Sequence, residues 1–161
     1  MRITNSFFNA KARVRVPVHH VYLMPATGVT RIGYAFAEFE AARRAIKQAY
    51  TAPNWDGYGG LPIRDETKKN ALTVLSHLET LTCAPEITPN SNGTLSFEWE
   101  TNQGTGQLEI GRTQYSFCVQ PHHGSPILNS GNASEINPGV GILVDALLYP
   151  KPSRPVSTSV R

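Results

Sequence analysis

From Leu95 onward, apolar residues fall at every second position. Leu95, Phe97 and Trp99 alternate with Ser96, Glu98 and Glu100; Leu108 and Ile110 flank Glu109; Tyr115, Phe117 and Val119 alternate with Ser116 and Cys118. Successive side chains of a strand point to opposite faces, so this is the signature of strands buried on one face. Asn92-Gly93, Gly104-Thr105-Gly106 and Gly111-Arg112-Thr113 punctuate the run as turns. The segment is expected to form an antiparallel meander, and a sheet with one apolar face needs a cover.

Two helices upstream of Pro85 can supply it. Phe36, Phe39, Ala42, Arg43, Ile46 and Tyr50 recur at three- and four-residue spacing over residues 35–50, the period of an amphipathic helix. A second stripe, Ala71, Val74, Leu75, Leu78 and Leu81, marks a helix over residues 65–81, with Asp65 as the expected N-cap. The fold class that follows is α+β, with a two-helix pair packed on one face of an antiparallel β-sheet of about four to six strands.

The flanks are less regular. In residues 12–23, ARVRVPVHHVYL, Val14, Val16 and Val18 alternate with Arg13, Arg15 and Pro17, as in an edge strand interrupted at the proline; VTRIGYAF, from Val29, supplies a short second strand. Residues 121–138 have no period and are rich in turn formers, which marks either a working surface or a disordered loop. Residues 139–149, GVGILVDALLY, are a core element that periodicity leaves open between helix and strand, and residues 150–161 read as a basic tail. The domain reading is one unit over residues 1–149, made of basic N-terminal strands (1–34), helix pair plus meander (35–120), long loop (121–138) and apolar element (139–149).

Charge is unevenly distributed. Residues 1–37 hold five basic residues and no acid, residues 150–161 three more and no acid, and the middle carries seven basic against twelve acidic residues, a net of −5. Basic ends without interleaved aromatics are weak grounds for a nucleic-acid footprint, so direct nucleic-acid binding, through Arg13 and Arg15, ranks third among the functional readings. The apolar run at 139–149 is too short to cross a bilayer, and the N-terminus lacks the apolar core of a signal peptide, which points to the cytoplasm. Cys83 and Cys118, each beside core-like residues, are expected as buried free thiols.

The most distinctive stretch is NWDGYGG, residues 54–60, between the two helices. Asn54, Asp56 and Gly57 are the residue types that satisfy a tight connector and take positive φ; Gly59 and Gly60 allow close backbone approach, and Pro62 sets the entry to the next helix. Trp55 and Tyr58 then either fold back as a cap on the core or stand outward as anchors for a partner. Asp56 has no second titratable group at fixed spacing to make a catalytic pair.

NWDGYGGLPI, a leucine-striped helix, PEITPNSNGTLSFEWE, LEIG and TQYSF together resemble a loosely defined group of small bacterial and phage proteins with a WDGYGxxP(I/V) motif followed by a helix and a short β-meander. The likeness covers residues from about 36 to 120. It implies a helix-pair-plus-sheet fold and a setting among small accessory proteins of toxins, defence systems and mobile elements; it carries no catalytic residue.

Catalytic and metal signatures are sparse. The histidine pairs His19-His20 and His122-His123, with His77, have no HExxH, CxxC or spaced carboxylates beside them, so His122 and His123 are weak metal candidates and no metal or cofactor is expected. The functional expectation is a non-enzymatic protein-binding module that inhibits or neutralises a partner, antitoxin-like or anti-CRISPR-like, with Trp55, Tyr58, Glu98, Glu100, Glu109, Arg13 and Arg15 as its contact residues. The partner is expected to be a nucleic-acid-processing or toxin protein, and a homodimer is left open. The alternative is a small hydrolase or transferase that brings His122, His123 and Asp56 into one pocket.

Overall fold

A computed structural model describes residues 30–79 and 83–150. Helices α1 (Thr30–Gln48) and α2 (Asp65–Leu78) come first. Strands β1 (Glu86–Pro89), β2 (Leu95–Thr101), β3 (Gly104–Ile110), β4 (Gln114–Pro121) and β5 (Ile127–Asn132) follow, then a 3-10 turn, Ala133–Glu135, and helix α3 (Gly139–Leu148). The sheet is antiparallel throughout and its spatial order, β1-β2-β3-β4-β5, is the chain order.

Period two places every apolar member of the meander on one face. Leu95, Phe97, Trp99, Leu108, Ile110, Tyr115, Phe117 and Val119 are all buried there, against Phe39, Ala42 and Ile46 of α1, Ala71, Val74, Leu75 and Leu78 of α2, and Val140, Val144 and Leu148 of α3. Each of the larger aliphatic and phenylalanine side chains among them contributes roughly 1.5–3 kcal/mol by leaving water. The helices divide the cover: α1 lies over β1, α2 over β2 and β3, and α3 over β3 and β4. Arg43 ties α1 to α2 by reaching both Glu40 and Glu79.

The fold class agrees with the sequence; several details do not. Residues from Thr30 belong to α1, so VTRIGYAF is helical where described and not a second strand. The N-cap of α2 is Arg64, without a side-chain cap, and Asp65 stands in the first turn with Glu66, where a negative charge meets the positive end of the helix dipole. Gly104 is a strand residue at φ 150, and a side chain there would collide with the Gln120 carbonyl, so its glycine serves the close approach of β3 and β4 and not a turn. The expected long loop over residues 121–138 contains β5 and the 3-10 turn, and the apolar element at 139–149 is helix α3. Cys118 alternates away from the core and is half-buried, as is Cys83; both are free thiols. The strand expected at residues 12–23, with Arg13, Arg15, His19 and His20, lies outside the described residues, as do Leu81 and the tail beyond residue 150.

Candidate functional site

The connector from α1 to α2 is held by its own polar groups. Asn54 takes the left-handed conformation at φ 57; its N–H donates to the Gly60 carbonyl at 2.7 Å and its Oδ1 accepts from Gly59 N–H at 2.7 Å. Asp56 Oδ1 accepts from the N–H groups of Tyr58 (2.9 Å) and Gly60 (2.8 Å). Gly57 and Gly59 hold φ of 76 and 85, a region costly for a side-chain-bearing residue. Gly60 is required for a different reason: a Cβ there would sit 2.8 Å from the Asp56 carboxylate. The carboxylate is thus spent on backbone N–H groups, a structural role.

Trp55 is neither a core residue nor a free anchor. Its ring stacks on Tyr50 at the end of α1, centroids 4.7 Å apart and planes 6° from parallel, and its Nε1 donates to the Leu61 carbonyl at 2.9 Å. The stack is an outer layer, because Tyr50 is itself 53% exposed. Tyr58 does not fold back over the core: it stands 95% exposed at the loop tip, beside Leu61 at 56%. The rigid loop therefore presents Tyr58, Leu61 and the rim of the Tyr50–Trp55 stack to solvent.

The loop is also stapled to the sheet. Leu61 N–H donates to the Ser91 carbonyl at 2.8 Å, in the turn between β1 and β2, and Ile63 N–H returns to the Tyr50 carbonyl at 2.8 Å. From that turn Asn92 Nδ2 donates to Glu109 Oε1 at 2.9 Å, and Thr94 Oγ1 reaches the same oxygen at 2.6 Å. Glu109 lies on the sheet face that faces away from the helices, so the aromatic loop and that face join at one end of the molecule.

The open face is acidic. Glu86 and Glu98 are register partners on β1 and β2, Glu100 follows two residues along, and Glu109 sits on β3. No strand contains a lysine, arginine or histidine. Residues 36–79 hold six acids and six bases, whereas residues 83–150 hold six acids and one base, so the whole net charge of −5 belongs to the sheet half. Ser96 is a correction to the expected polar face: it is fully buried, and its hydroxyl accepts from Asn90 Nδ2 at 2.8 Å. Sequence reasoning missed Tyr50, Leu61 and Glu86; only the parity of Glu86 with Thr88 and the position of Tyr50 at the end of its stripe hinted at them.

The histidines and Asp56 do not converge. His122 N–H donates to the Gln103 carbonyl, which puts it beside the β2–β3 turn, while the loop bearing Asp56 adjoins the β1–β2 turn at the opposite end of the strands. About seven strand steps, roughly 24 Å, separate the two ends. His77 is exposed on α2 and His122 and His123 are exposed side by side in the β4–β5 connector, and among the described residues no group of three histidine, cysteine or acidic side chains is placed to hold a metal ion. No helix among them is long and apolar enough to cross a membrane. No family model, curated protein or solved structure matches the chain.

Proposed function

We propose that the protein is a non-enzymatic binding module that docks on, and inhibits, a partner protein with a basic surface. The observation that carries this reading is Tyr58: an aromatic ring 95% exposed on a loop whose N–H groups at Tyr58, Gly59 and Gly60 are held by the Asn54 and Asp56 side chains. Aromatic anchors on pre-organised loops lose little freedom on binding, which is where interface energy concentrates. Glu109 at the loop's end of the open face, with Glu86, Glu98 and Glu100 farther along it, supplies a field that draws a positively charged partner and fixes its orientation. A nucleic-acid-processing enzyme or a toxin, whose own substrate groove is basic, has the complementary chemistry. An accessory protein of antitoxin or counter-defence type is the biological setting this reading favours, and the likeness of the NWDGYGG region to small bacterial and phage proteins points the same way.

Affinity capture from host lysate tests the idea when wild type is run beside Tyr58→Ala and a Glu98→Gln, Glu100→Gln double variant. One stoichiometric partner, recovered by wild type, lost with Tyr58→Ala and weakened in the double variant as salt rises, supports docking through this surface. Its purified activity should then fall on titration with wild type only. A partner retained equally by all three proteins places the interface elsewhere, and a partner whose activity is unaffected removes inhibition from the reading.

A further inference from the structure

The sheet has two edges, and they are built differently. β1 has four residues, ends at Pro89, which has no N–H to offer, and carries Glu86. Shortness, proline and charge are the devices that keep an edge from pairing with another chain. β5 has none of them: its six residues, Ile127–Asn132, are uncharged and proline-free, and Leu128 is 73% exposed. Among the described residues β5 pairs only with β4, and no other strand among them takes its outer row; there the Ser130 N–H donates to Asn129 Oδ1 at 2.8 Å, a local bond that a new ladder would replace.

We propose that a second copy of this chain completes that edge, with β5 pairing antiparallel to β5 about a twofold axis through Asn129. Pairing centred on a single residue keeps the like faces of the two sheets together. Leu128 then lies opposite Ser130 of the second copy on the open face, and Ile127 lies opposite Gly131 on the helix side. That second pair fits by size. Gly131 is small because Tyr115 Cε1 lies 3.1 Å from where its Cβ would be, and Ile127, 37% exposed, is the large residue that covers it.

The size fit of Ile127 with Gly131 selects a second copy as the occupant, and β5 against itself brings no charged side chains together along the new seam. The acidic faces do not oppose it. Five strand spacings, roughly 24 Å, separate the nearest glutamate-bearing strands, the two β3, well beyond the screening length of about 8 Å at physiological salt. The product is one ten-stranded sheet with both acidic faces on the same side. Six residues per copy make less than a standard interface of about 800 Å² per partner, so the dimer forms in a concentration-dependent way.

Sedimentation velocity of the full chain over a wide concentration range reads the equilibrium. The expected result is a mass that rises from that of one chain toward twice that. A Leu128→Lys, Ser130→Lys variant, which places like charges across the axis, should stay monomeric while its circular dichroism and melting temperature match wild type. In a Cys83→Ser, Cys118→Ser background, Asn129→Cys should form a disulfide-linked dimer on mild oxidation and Asn102→Cys, in the exposed β2–β3 turn, should not. A wild-type protein monomeric at every concentration overturns the proposal and leaves the edge to a strand of another protein. A dimer insensitive to the lysine pair and not linked through Asn129→Cys overturns it in favour of another interface.

Discussion

The same five strands present two faces that obey opposite rules. On the covered face nearly every residue of β2, β3 and β4 is apolar and buried, and three helices close over it. On the open face the strands carry four glutamates and no base, with Glu86 directly opposite Glu98. Like charges facing each other across a strand pair destabilise it. The covered face thus holds the fold together, and the open face is arranged at some cost to it, which is the pattern of a surface kept for something other than stability.

Five substitutions test that contrast, from the largest effect to the smallest. Phe97→Ala and Phe117→Ala remove fully buried rings from the covered face and should each destabilise the protein by about 3–5 kcal/mol in denaturant unfolding; a loss below 1 kcal/mol would mean that the helices do not seal this face as described. Gly60→Ala drives a methyl group into the Asp56 carboxylate and should cost about 1–3 kcal/mol while altering the near-ultraviolet signal of Trp55. Trp55→Phe keeps a ring on Tyr50 but loses the bond to the Leu61 carbonyl, and should cost about 1 kcal/mol or less because the site is half wet. Glu98→Gln should do the reverse and stabilise by a few tenths of a kcal/mol, up to about 1, with the gain shrinking as salt is added. Destabilisation by Glu98→Gln would break the comparison, since the open face would then be contributing to the fold.

Much of the covered face was legible because it rests on periodicity. Leu95 to Val119 repeat at two and Phe39 to Leu78 at three and four, and those spacings demand the elements observed. β5 escaped because ILNSGN places two apolar residues side by side and then four small or polar ones, with no alternation to read; it is a strand because β4 offers it a ladder. The start of α1 was misread for a related reason: VTRI offers only Val29 and Ile32, three residues apart, as apolar positions, too short a window to tell a strand from a helix. In NWDGYGG the turn chemistry of Asn54, Asp56 and Gly57 was readable from local rules. Where the rings of Trp55 and Tyr58 point was not, since that depends on Tyr50 at the far end of a helix and on the staple from Leu61 to Ser91.

The coincidence of sheet order with chain order bears on how the protein reaches its structure. Each strand pairs with the one made just before it, across connectors of two to five residues for every turn, so no long loop has to close before the next ladder can form. Folds whose contacts join near neighbours in the chain fold faster than those that must bring distant segments together. The sheet is therefore expected to assemble by successive addition of strands as synthesis proceeds, on a helical pair that has already left the ribosome, and the refolding rate should exceed that of a Greek-key domain of the same length.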